Sequence, residues 1–200
     1  MSKNLLIIFT RNPELGKVKT RLAKTIGNEN ALTIYNTLLD KTVKTASKIN
    51  CDKAVYYSAK IRENDIWDAS IYHKYLQKGE DLGVRMLNAF AEAFNSNYNK
   101  VVIIGTDLYH LDPDHLKEAF HSLDSHDVVI GPAQDGGYYL LGMKSLNSKV
   151  FKHKNWGTST VLEETLNDLQ DQSVHFLERL NDIDVYDDII NIEAFKKYLI

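Results

Sequence analysis

The chain has 200 residues, 44% hydrophobic and 26% charged, a length and balance that fit one domain, residues 1–200, with a full core. Its formal net charge of -3 and isoelectric point near 6.2 leave no surplus of positive charge, so nucleic acid is a poor partner and any cationic cluster must be local. Cys51 is the only cysteine, which excludes an internal disulfide and a multi-thiolate zinc site and fits a reducing interior.

In chain order, the apolar run Asn4 to Thr10 predicts a buried strand; it is far too short for a membrane span and lacks a signal-peptide cleavage pattern, so a cytoplasmic protein is expected. Leu32, Tyr35, Leu38, Leu39, Val43 and Ala46 then recur at helical spacing between Asn30 and Ile49. Ala54 to Ser58 reads as a strand, Leu82 to Phe94 as a helix, Val101 to Gly105 as a strand, and Pro113 to Leu123 as a helix with Asp112 as its N-cap. Further strands are expected at Asp127 to Ile130 and Tyr138 to Met143. A helix from Thr160 to Leu169 would open on a capping box of Thr160 with Glu163, and a closing helix would run from Asp187 to Leu199. This alternation predicts an α/β sandwich, an open and mainly parallel sheet with helices on both faces. Trp67, the tyrosines from Tyr56 to Tyr75 and Cys51 suit either the core or a partner-facing surface, and the core is expected for the large aromatics.

Four stretches carry chemistry. "FTRNPELGKVKTRLAK" follows the first strand with Arg11, Lys17, Lys19 and Arg21 around Gly16. It is no Walker A loop, because Arg11 stands five residues before Gly16 and Val18 follows Lys17; with one glycine it is no dinucleotide fingerprint either. Open α/β sheets bind ligands at the carboxyl ends of their strands, where these cations suit a diphosphate; the bland alternative is a solvated basic turn. In "VVIIGTDLYHLDP", Asp107 ends a strand and offers hard oxygen to Mg²⁺ or Mn²⁺, or else opens a turn. In "GPAQDGGYYLLG", Asp135 marks either a plain hairpin or a carboxylate able to orient or deprotonate an acceptor hydroxyl. In "NDIDVYDD", Asp187 and Asp188 suit a helix N-terminus, whereas Asp182 and Asp184, two apart on an extended segment, would face one side. The histidines, among them His110 and His115, form no metal motif.

Taken in order, "RNPELGKVKTRL", "GEDLGVRM", "IGTDLYHL", "GPAQDGGYYLLG", "WGTSTVLEETL" and "DIDVYDDI" resemble the bacterial family known as domain of unknown function 2064. That family is classed with GT-A type glycosyltransferases and is similar to molybdenum-cofactor nucleotidylyltransferases and 2-phospholactate guanylyltransferase. The resemblance implies a nucleotide-diphospho-sugar transferase fold. It places Arg11, Gly16, Lys17 and Arg21 on the nucleotide and its phosphates, with Gly83 and Arg85 near the base, ribose or phosphates. It makes Asp107 and Asp184, with Asp182, the holders of Mg²⁺ or Mn²⁺. It sets Asp135, Gly136, Gly137 and Tyr138 on the acceptor side, with Trp156, Ser159 and Thr160 at the pocket mouth. This chain departs from the family pattern at Leu108, Tyr109 and His110, where a proline is usual after Asp107, at Gln134 in place of glutamate, and in its "VYDDI" ending. The implied activity is glycosyl transfer from a nucleotide-sugar to a small-molecule or lipid acceptor, with nucleotidyl transfer from a nucleoside triphosphate, or nucleotide-sugar binding without turnover, as the alternatives.

Overall fold

The computed structural model describes residues 3–199. Seven strands, β1 (Asn4–Thr10), β2 (Asp52–Tyr57), β3 (Tyr72–Leu76), β4 (Lys100–Ile104), β5 (Val128–Pro132), β6 (Tyr138–Met143) and β7 (Val174–Phe176), form one sheet in the order β3-β2-β1-β4-β6-β5-β7. All neighbouring pairs are parallel except those of β6, which runs antiparallel to both β4 and β5. The central strands are apolar along nearly their whole length because helices cover both faces.

Alternation of side chains sorts each strand between the two faces. Leu6 and Ile8 of β1 and Val102 and Ile104 of β4 pack with Tyr35, Leu39 and Ala46 of α2 (Asn28–Ala46) and with Leu116, Ala119 and Phe120 of α4 (Pro113–Ser122). Leu5 and Ile7, with Val101 and Ile103, pack on the opposite face against Met86, Ala89, Phe90 and Ala93 of α3 (Leu82–Asn95). A short helix α1 (Thr20–Ile26), unmarked by any periodic run of its own, precedes α2 and buries Leu22 and Ile26 with Ile34 and Leu38.

The expected strands and four of the five expected helices occur, with ends displaced by up to a few residues. Asp112 caps α4, and its backbone N–H donates to His115 Nδ1 at 3.1 Å, so that histidine serves the helix end. Three expectations need correction. The capping box at Thr160 does not form: Thr160 has helical backbone angles, and its hydroxyl donates to Glu164 Oε1 at 2.7 Å, one turn along α5 (Val161–Asn167). The closing helix is replaced by two 3₁₀ segments, Tyr186–Ile189 and Glu193–Tyr198. Its buried residues Ile189, Ile192 and Phe195 repeat every third position, which matches three residues per turn rather than 3.6. Finally, Trp67, Tyr56, Tyr57 and Tyr72 are core residues as expected, but Tyr75 lies exposed on the edge strand β3.

Candidate active site

The carboxyl ends of β1, β2 and β4 open into a pocket of about 490 Å³. One end is formed by Phe9, Thr10, Arg11, Ser58 and Gln77 with Leu82, Arg85 and Met86 at the start of α3. Gly105, Thr106 and Asp107 form the centre, and Asp135, Gly137, Tyr138, Gly157, Thr158 and Asp182 the far end, with Trp156 on the wall.

The loop after β1 is held down by its polar residues. Buried Asn12 accepts from the backbone N–H of Ala59 and Lys60 at 3.0 and 3.2 Å and donates to the Lys60 carbonyl at 2.8 Å, fastening the loop to the end of β2. The Tyr35 hydroxyl on α2 accepts from the Arg11 backbone N–H at 3.0 Å and lies 3.0 Å from Thr106 Oγ1, tying the same loop to the end of β4. Gly16 takes a positive φ of 73° in the turn closed by Lys17 N–H to the Glu14 carbonyl, which makes it a conformational requirement of the loop. Lys17 points to Glu14 at 2.8 Å in solvent and joins no site group.

Lys19 behaves differently. Its backbone is left-handed (φ 48°), a conformation that costs a non-glycine residue about 1 kcal/mol, and it carries the side chain inward to 4% exposure. The ammonium donates to Asp107 and, at 3.0 Å, to Asp184 Oδ1, while the Arg21 guanidinium donates to Asp184 Oδ2. Burial works against the charged lysine, yet the two carboxylates more than reverse this and its pKa is raised. Burial likewise works against the Asp184 carboxylate, and Lys19 and Arg21 outweigh it, so its pKa is lowered.

Asp182 and Asp184 reach this point because the strand-like segment around them crosses the strand ends. Leu108 and Asp182 form an antiparallel bridge, Ile183 N–H donates to the Asp107 carbonyl at 2.9 Å, and Ala133 pairs with Leu180. Asp188 accepts from the backbone N–H of Asp184 and of Val185, both at 2.7 Å, which orients Asp184. Ile183 is buried between the two half-buried aspartates. Among the described residues Asp182 forms no ion pair with a lysine or arginine; burial first, then Asp107, Asp135 and Asp184, push its carboxyl up to about 7, with Lys19 opposing them.

Asp135 closes the β5–β6 hairpin by accepting from Gly137 N–H at 2.9 Å through Oδ1, and it also lines the pocket, so a hairpin role does not take the carboxylate away from the pocket. Gly136 and Gly83 are packing positions: a Cβ on Gly136 would lie 2.3 Å from the Ser159 carbonyl oxygen, and one on Gly83 would lie 2.3 Å from that of Phe151 and 2.6 Å from Trp156 Nε1. Ser159 and Thr160 are exposed and lie off the pocket lining. Sequence reasoning passed over Tyr35, Thr106, Asn12 and Gln77; for Tyr35 the only signal was a hydroxyl on the apolar stripe of a helix.

Among the described residues no three histidine, cysteine, aspartate or glutamate side chains converge as a ready metal cage. Mg²⁺ and similar ions in phosphate-handling sites take one or two carboxylates and complete their shell with substrate phosphates and water. The hard-oxygen pair Asp107 and Asp184, drawn together on one ammonium, fits that demand.

The family described as "Uncharacterized protein conserved in bacteria (DUF2064)" matches residues 41–158. A protein of Desulfovibrio desulfuricans G20, described provisionally as a nucleotide-diphospho-sugar transferase, is similar at 30% identity over 98% of this chain and 89% of that one, with a TM-score of 0.88. The 2-phospho-L-lactate guanylyltransferase of Methanocaldococcus vulcanius is 24% identical over 82% of this chain and 72% of its own length. Rv0371c of Mycobacterium tuberculosis, solved in complex with manganese, shares the fold at 13% identity, with a TM-score of 0.60 over 96% and 99% of the two chains. With more than half its length matched, and with the sheet order and strand-end pocket described above, the chain belongs to the DUF2064 family and has a nucleotide-diphospho-sugar transferase fold.

Proposed function

We propose that the protein is a metal-dependent glycosyltransferase that moves a sugar from a nucleotide diphosphate to the hydroxyl of an uncharged acceptor. The observation that carries this reading is the division of charge along the pocket. The lining cations, Arg11 and Arg85, stand at the end made by β1 and α3; the far end carries Asp135 and Asp182, with no lysine or arginine among the described lining residues. A phosphorylated acceptor would meet carboxylates there, whereas a neutral polyol would meet hydrogen-bond acceptors and the Trp156 ring.

On this reading Phe9, Leu82 and Met86 flank the base, and Arg11, Lys19 and Arg21 hold the diphosphate. Asp107 and Asp184 would hold the divalent cation, which when bound neutralises charge on the diphosphate. The acceptor oxygen attacks the anomeric carbon, the bond from that carbon to the diphosphate oxygen breaks, and the acceptor proton passes to the Asp135 oxygen not engaged by Gly137.

The test is product analysis by mass spectrometry, with nucleotide-sugars or nucleoside triphosphates supplied alongside Mn²⁺ and a panel of polyols. Release of a nucleoside diphosphate with a glycosylated product is expected, and Asp135→Asn should lower turnover by about 10²–10⁴-fold while leaving donor affinity in place. Pyrophosphate release from a triphosphate, with no turnover of any nucleotide-sugar, would replace this reading by nucleotidyl transfer, which the similarity to a guanylyltransferase favours.

A further inference from the structure

In the ion cluster beside the pocket two carboxylates, Asp107 and Asp184, meet two cations, Lys19 and Arg21, with Asp182 nearby as a third acidic group. Arg21 approaches from solvent, its side chain 65% exposed, whereas Lys19 is nearly enclosed and is the group that touches both carboxylates. The Lys19 ammonium also stands 6.0 Å from the centroid of the Tyr35 ring, itself fixed by the loop and β4 contacts. A buried ammonium between two carboxylates does for them what a divalent cation would do, and the two cannot share that position without strong repulsion. Displacing the ammonium into apolar surroundings without an anion would be costly. Its long flexible stem can instead turn it toward phosphate oxygens in the pocket that Asp107 lines.

We propose that Lys19 controls metal entry: its ammonium holds the position between Asp107 and Asp184 until the phosphates of the donor draw it away, so that donor and divalent cation bind with positive coupling. The inference rests on the nucleotide-donor reading for what draws the lysine off, but not for what the lysine occupies. By linkage, the donor tightens the metal by the same factor as the metal tightens the donor. Lys19 thereby acts as a positioning residue in the free protein and as a phosphate ligand in the loaded one.

The experiment is titration of Mn²⁺ alone into the purified protein, followed by calorimetry and by the electron paramagnetic resonance signal of free Mn²⁺. Lys19→Ala and Lys19→Met, the second keeping the buried stem, should each bind Mn²⁺ at least about tenfold more tightly than the wild type, the loss of one charge-assisted contact that entry must break. Lys24→Ala removes the same charge from an exposed position on α1, the helix that Lys19 precedes, and should leave Mn²⁺ affinity unchanged. Unchanged, weaker or absent Mn²⁺ binding in both Lys19 variants overturns the proposal, and so does equal tightening by Lys24→Ala, which would reduce the effect to net charge. Pyrophosphate, the fragment common to donors of every base, should raise Mn²⁺ affinity in the wild type and have little further effect in Lys19→Met. Failure of pyrophosphate and nucleotides to bind any variant would remove the donor reading, while the Mn²⁺-only comparison would still decide whether Lys19 occupies the metal position.

Discussion

Tyr35 shows how a single hydroxyl can set a binding loop. The side chain is 1% exposed, its ring fills the core between α2 and the sheet, and its oxygen joins Arg11 at the end of β1 to Thr106 at the end of β4. Tyr35→Phe keeps the packing but leaves the Arg11 N–H without its partner, a loss of about 1–3 kcal/mol. We expect a lower midpoint in urea denaturation with an unchanged slope, and weaker donor binding, because Arg11 loses its anchor. The same scale explains the cations of the opening loop. Residue type pointed to a cluster around Gly16, but nothing in the composition separates Lys17, which pairs with Glu14 in solvent, from Lys19, which turns inward. That division follows from the left-handed backbone at position 19 and from two aspartates far along the chain.

At the scale of elements, the approach of α3 to the 151–156 segment shapes the pocket wall. Gly83 permits it, since a methyl group there would run into the Phe151 carbonyl, a backbone atom that no rotamer change can move. Alanine would gain about 1 kcal/mol in helix propensity, but overpacking costs about 1–3 kcal/mol, so Gly83→Ala should be destabilising in chemical denaturation. It should also displace Trp156, visible as a change in tryptophan fluorescence. The position thus belongs to the site through packing rather than ligand contact, a distinction that the motif "GEDLGVRM" does not contain. The long elements were legible because their periodicity reports burial directly: β1 and β4 are apolar on both faces, and α2 carries an apolar stripe. The elements that escaped notice are short. Helix α1 has seven residues, and the edge strands β3 and β7 have five and three, with mixed polarity where one side meets solvent.

For the whole molecule, the sheet order brings β1, β2 and β4 side by side and gathers their carboxyl ends at one pocket, with the segment around Asp182 and Asp184 crossing above. A ligand confined to the native pocket stabilises the entire fold by mass action, about 2.7 kcal/mol at a hundred times its dissociation constant. A nucleotide-sugar with Mn²⁺ should therefore raise the midpoint of thermal unfolding, removal of Mn²⁺ by chelation should reverse most of the shift, and Asp107→Asn should abolish the metal-dependent part. A shift of equal size in Asp107→Asn would remove that aspartate from metal binding. Among the described residues no helix is long and apolar enough to cross a membrane. By itself the sequence determined the alternating α/β architecture and the positions of Asp107, Asp135 and the cationic loop at strand ends, because burial periodicity and strand termination are local properties of the chain. Only the tertiary structure decided that β6 also pairs antiparallel with β4, and that Lys19 rather than Lys17 meets Asp107 and Asp184. Those outcomes depend on contacts between residues remote in sequence, whose energies no local pattern encodes.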